Sequence, residues 1–284
     1  MPIFSGVLGL LSKLLTMTTE GDLLRAVQSG SLSEVVSALD AGVSPDAVIG
    51  EETLGFHSSF VGESAISKAC MGAPLPDNDD YHHDQGVTEG IVRALLRAGA
   101  NPNPRSPPLV YSTLSGNAPL TKMLLNAGAD ARYIPTPVGF GGPLHRACSF
   151  SAACVELLLA SGADSVVNVQ MQWGMNGPFF YPLDLVVKSI VEEPGPMPQI
   201  ERALPLLLRA GAIFPTPYYS GLLSAGDAGD PLLSYLDRVL AAGGFRRYEQ
   251  RHINALAATF GPKLGLPPEI ARVVVAFYAH RGFY

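Results

Sequence analysis

The chain has 284 residues, enough for one or two domains at roughly 150 residues each. Its composition, 47% hydrophobic and 15% charged, argues against a disordered chain. A net charge of -6 argues against broad nucleic-acid binding, three cysteines are too few for a disulfide framework, and no apolar run reaches the length of a membrane-spanning helix.

In chain order, residues 1–19 open with Ile3, Val7, Leu10, Leu11, Leu14 and Leu15 at helical spacing, with Lys13 as the only charge between Pro2 and Thr16. This predicts a helix that caps the first helix pair. A membrane-surface or targeting helix over residues 3–15 is the second reading, and one cation gives it little attraction to lipid. A signal peptide fits poorly, because no basic stretch precedes the apolar run. Met17 offers an internal start. Leu23–Gly42 then reads as two short helices joined at Gly30. Further helix pairs are predicted from Ser64 to Gly99, Pro108 to Gly128, Gly142 to Gly162 and Pro182 to Gly211. Polar or Pro-rich inserts, Ala73–Gly86 and Glu193–Ile200, interrupt the second and fifth pairs and should be surface loops. Residues 217–245 give a last, weaker pair.

Each pair closes on one phrase. ALDAGVSPD (Ala38–Asp46), LLRAGANPN (Leu95–Asn103), LLNAGADAR (Leu124–Arg132), LLASGADSV (Leu158–Val166), LLRAGAIFP (Leu207–Pro215) and VLAAGGFRR (Val239–Arg247) share a glycine after an apolar run. These glycines, Gly42, Gly99, Gly128, Gly162, Gly211 and Gly243, lie 57, 29, 34, 49 and 32 residues apart. A glycine in that place predicts a left-handed helix C-cap. The pairs also open alike. GPLHRAC (Gly142–Cys148) aligns with SAISKAC (Ser64–Cys70), so Cys70 and Cys148 occupy one register position. Pro108-Leu109 and Pro182-Leu183 mark two further openings.

GPLHRA followed by VELLLASGAD resembles the ankyrin repeat, whose pattern begins T-P-L-H-x-A and ends L-L-L-x-x-G-A-D. The resemblance covers about residues 20–245, as repeats near 20–46, 62–104, 106–132, 141–166, 180–215 and 217–245. It implies an all-α solenoid of about six degenerate repeats with irregular fingers. It also implies a non-enzymatic module that binds a protein partner on the concave face of fingers and first helices. His145 stands at the family's histidine, which resembles a turn-stabilising hydrogen bonder.

Residues 246–284 form a C-terminal helical cap or a docking box. Helices are predicted over Tyr248–Phe260 and from Pro267-Pro268 onward, the latter with an apolar face of Ile270, Val273, Val274, Phe277 and Tyr278. A repeat array needs its end face covered, which favours a cap. LPPEIARVVVAFY (Leu266–Tyr278) is faintly similar to the opening of F-box-like and SOCS-box-like segments. That similarity implies the alternative of a substrate adaptor that recruits ubiquitin-ligase components.

No G-x-S-x-G, P-loop, H-E-x-x-H or C-x-x-C motif occurs. His82 and His83 beside Asp77, Asp79, Asp80 and Asp84 form the one cluster with metal-ligand character, and a metal-dependent enzyme is the remote third reading. Adjacent histidines on a rigid element cannot easily face one ion, so a solvated loop is expected, with no cofactor. Cys148 and Cys154 are expected as small buried thiols. Aromatic residues concentrate in the predicted fingers. Trp173, Phe179, Phe180, Tyr181, Phe56, Phe60, Phe140 and Tyr218 are the candidate partner-binding residues, with Trp173 foremost. Each finger can instead fold back to shield the array. The expectation is an intracellular protein, cytoplasmic or nuclear, without a nucleic-acid partner.

Overall fold

A computed structural model describes residues 19–50, 61–71, 85–135, 141–172, 177–192, 202–225 and 231–279. The N-terminal helix expected over residues 3–15, the Asp77–Asp84 cluster with His82 and His83, and the Glu193–Ile200 insert lie outside these residues. The chain is mostly helical, and its contacts divide it into two compact units, residues 1–134 and 135–284. Among the described residues, no helix is long and apolar enough to cross a membrane.

The first unit holds three helix pairs: α1 (Glu20–Gln28) with α2 (Leu32–Asp40), α3 (Ala65–Met71) with α4 (Gln85–Arg97), and α5 (Pro108–Leu114) with α6 (Ala118–Asn126). Helix α1 starts where Thr19 and Asp22 close a capping box, the Thr19 hydroxyl accepting the Asp22 amide at 3.3 Å. Pro108 opens α5, where a missing amide hydrogen costs nothing. The Asn117 side chain accepts the Leu120 amide at 2.8 Å and caps α6. Within each pair the two helices pack together. First helix packs on first helix (α1 on α3, α3 on α5), and second on second (α2 on α4, α4 on α6). Leu23, Val35, Ile66, Leu95, Leu109 and Leu124 are fully buried between them, and the small Ala65 and Ala69 let the first helices approach closely. Helix α4 begins at Gln85, so Gln85 and Gly86 belong to it and not to the expected surface loop.

The second unit contains α7 (Pro143–Phe150), α8 (Ala152–Ala160), a 3-10 turn (Ala163–Val166), a hairpin of β1 (Met171–Gln172) and β2 (Phe179–Phe180), α9 (Pro182–Glu192) and α10 (Ala203–Arg209). It continues with α11 (Pro217–Ala225), α12 (Pro231–Ala241), α13 (Phe245–Phe260) and α14 (Pro268–Ala279). Here α7 packs on α8 and α9, α10 on α8 and α9, and α11 on α9. Helix α13 starts three residues before its predicted position and lies against both α10 and α12.

All six repeat-closing glycines adopt the left-handed conformation expected of them, with φ between +81° at Gly243 and +94° at Gly162. Beyond those turns, side-chain amides and carboxylates tie one repeat to the next. Asp46 Oδ1 accepts the Asn101 amide at 2.7 Å. Asn103 Oδ1 accepts the Asp130 amide at 2.8 Å while its Nδ2 donates to the Gly128 carbonyl at 2.8 Å. Asn168 Oδ1 accepts the Ile213 amide at 2.7 Å while its Nδ2 donates to the Gly211 carbonyl at 2.9 Å. In every case the amide belongs to the second residue after a closing glycine.

The two C-terminal helices differ in how far they are buried. Helix α13 does the covering: Phe245, Ile253 and Ala257 are buried, the Arg209 guanidinium lies over the Phe245 ring, and Arg209 Nε pairs with Glu249 Oε1 at 2.7 Å. Helix α14 packs on α13 and buries Ala271, whereas Ile270 and Val273 of its predicted apolar face are 49% and 68% exposed. Part of the apolar face predicted for this last helix is therefore open to solvent, while α13 lies beside α10.

Candidate functional site

Two of the predicted fingers carry antiparallel pairing among their described residues. In the first, Val48 bridges Ser64, the Ile49 amide donates to the Glu63 carbonyl at 2.9 Å and the Gly62 amide donates to the Ile49 carbonyl at 2.8 Å. In the second, Met171 pairs with Phe180 and Gln172 with Phe179. Side chains alternate across a strand. That parity sends Phe180 and Met171 inward and leaves Phe179 53% exposed.

The eight aromatic candidates are therefore not equivalent. Phe180 is buried and meets Tyr218 edge-on at 5.4 Å, so it braces the finger and is not free to contact a partner. Tyr218 is half-buried, and its hydroxyl donates to Glu192 at 3.3 Å. Burial, with the Glu192 charge beside it, pushes the Tyr218 phenol up to about 12. Tyr181 is half-buried and donates its backbone amide to Asp184 at 2.9 Å, which caps α9. Phe179 is the exposed member of this group. Phe56, Phe60, Phe140 and Trp173 lie outside the described residues.

Of the polar groups beneath the fingers, only His145 was singled out from the sequence. Ser67 and His145 share one register position, three residues after the aligned Ser64 and Gly142. Ser67 Oγ donates to the Ser106 carbonyl at 2.5 Å, and His145 Nε2 meets the Val169 carbonyl at 2.8 Å. These two first helices, α3 and α7, thus grip the segment after their own repeat. His145 is the hydrogen bonder that its place in the pattern predicts, although its partner lies in the next finger and not in its own turn. Burial holds the imidazole well below its ordinary value, at about 4, and the neighbouring Arg146 acts in the same direction. His145 is accordingly neutral with its proton on Nε2.

One residue further along, Lys68, Tyr111 and Arg146 again share a register position. Lys68 and Tyr111 both approach Glu63 at the root of the first finger, where the Tyr111 hydroxyl donates to Glu63 Oε1 at 3.3 Å. Desolvation raises the Glu63 carboxyl and the Tyr111 phenol and lowers the Lys68 ammonium. In the second unit, burial also raises the Asp184 carboxyl, against hydrogen bonds from Thr216 and the Tyr181 amide. For Lys68, Tyr111 and Arg146 the sequence signal is a polar residue at the variable position of the opening motif.

Such arrangements hold fingers to helices. Among the described residues, no three His, Cys, Asp or Glu side chains converge as a metal site would require. Cys70, Cys148 and Cys154 are buried, and burial pushes the thiols of Cys70 and Cys148 up, away from the reactive thiolate. Compared with family models and with curated proteins, the chain matches none.

Proposed function

We propose that the chain is an ankyrin-type repeat solenoid that acts inside the cell as a protein-binding module, with no catalytic role. The observation that carries this reading is the recurring tie between neighbouring repeats, from Asp46 to Asn101, Asn103 to Asp130 and Asn168 to Ile213, at 2.7–2.8 Å. One contact repeated at equivalent places supports a stack of like units, in which stability is a sum of nearest-neighbour terms. Rigid helices then carry projecting fingers, and Phe179 and Trp173 are the anchors to test. The acidic body favours a basic or neutral partner at that face.

A pull-down from cell extract tests the reading, comparing the full chain with Trp173→Ala and Phe179→Ala, each followed by circular dichroism. Unchanged helicity with loss of a partner set is the expected result. Retention of every bound protein by both variants would sink the finger-face reading.

The ligase-adaptor reading keeps one supporting observation, the exposure of Leu264, Ile270 and Val273 at 62%, 49% and 68%. On that reading α14 recruits ligase components while the repeats hold the substrate. A chain ending at Lys263 should lose ligase components and keep the other partners. Recovery of the same ligase components without α14 would exclude it.

A further inference from the structure

The groove between α12 and α13 belongs to neither reading above. It is a shallow depression, open to solvent, of about 340 Å3, lined by Arg238, Ala241, Ala242, Tyr248, Arg251 and His252. One wall is rigid: the Tyr248 and His252 rings stack within 7° of parallel, and Tyr235 braces Tyr248 edge-on at 5.4 Å. Arg238 and Arg251 are exposed beside that wall. Neither makes an ion pair among the described residues. The carboxylates on these two helices near the groove are engaged elsewhere. Asp237 accepts the Tyr219 hydroxyl at 2.9 Å, and Glu249 pairs with Arg209 at 2.7 Å. A third cation is close, since a Cβ added to Gly243 would meet Arg247 Nη1 at 2.9 Å. One cation suits the carbonyl end of α12, but two guanidiniums flanking an aromatic wall exceed what that end requires.

We infer that this groove binds an acidic peptide segment, with carboxylates on Arg238 and Arg251 and an aliphatic side chain against Ala241, Ala242 and the Tyr248 ring. Guanidinium presents a planar fork that matches a carboxylate in two parallel hydrogen bonds. Residues 245–284 hold six Lys and Arg against two Glu, in a chain whose net charge is -6, so the rest of the molecule is strongly acidic. A short segment feels the local cations, because the field of the remainder is screened beyond about 8–10 Å. A nucleic acid or an anionic membrane would meet net repulsion from a chain of charge -6.

Fluorescence anisotropy on the full chain tests this, with a fluorescein-labelled peptide alternating glutamate and leucine as the probe. Binding should saturate at about 0.15 M salt. The double variant Arg238→Gln/Arg251→Gln should weaken it at least about tenfold, and the charge-matched Arg246→Gln/Arg272→Gln, outside the groove, by less than about threefold. All four arginines are exposed, so circular dichroism should be unchanged. Ala241→Glu, at an exposed position of the groove, should remove binding without deleting an arginine. Absence of saturable binding, equal losses in the two double variants, or retention by Ala241→Glu would overturn the inference. So would tighter binding of an oligonucleotide of equal charge or of phosphatidylserine vesicles.

Discussion

Asn103 and Asn168 each satisfy a backbone amide and a backbone carbonyl in the next repeat along the chain. Replacing Asn103 with Ala removes both bonds at an exposed site where water can partly substitute. Chemical denaturation should therefore register a loss of about 1–2 kcal/mol, with circular dichroism unchanged before the transition. The closing glycines were legible in the sequence, because a glycine after an apolar run has one strong local meaning. The asparagines were not. Asn-Pro-Asn reads locally as a turn, and the partners of Asn103 stand 25 and 27 residues away. His145 makes a second prediction at this scale. Its folded value of about 4 lies below the ordinary 6.5, so the unfolded chain takes up the proton first as pH falls. The stability that neutral His145 contributes is complete above about pH 6.5 and declines as pH drops toward 4, by about 3 kcal/mol at most. The midpoint of urea denaturation, followed from pH 7 to 4, should fall less steeply in His145→Gln than in the parent chain.

Between elements, parity and packing decided what composition left open. Phe179 and Phe180 are neighbours with the same chemistry, and both were candidates for contact. Pairing of β1 with β2 in one register buries Phe180 and exposes Phe179. The end of the chain obeys the same logic. Helix α14 has an apolar face in its sequence, yet α13 takes the place beside α10, through Arg209, Glu249 and Phe245. Arg209→Gln should cost about 2 kcal/mol, since it removes the cation that pairs with a largely buried Glu249, and thermal melting by circular dichroism checks it. A chain ending at Lys263 should lose only the helicity of α14 and melt near the temperature of the full protein. A large drop in melting temperature would return the cap role to α14.

For the whole molecule, two compact units each bury leucines, valines and alanines of their own. The chain 1–134 expressed alone should therefore show a helical spectrum and a cooperative denaturant transition; a non-cooperative one would make its core dependent on the remainder. By itself, the sequence determined that the chain is mostly helical, where its helix pairs stop and which phrases recur. Those features arise from periodicity and from the left-handed glycine, both of which act within a few residues. Only the tertiary structure decided which of Phe179 and Phe180 faces solvent, which helix lies beside α10, and which arginines flank the Tyr248–His252 stack. Those outcomes depend on contacts between residues far apart in the chain, and no local pattern encodes them.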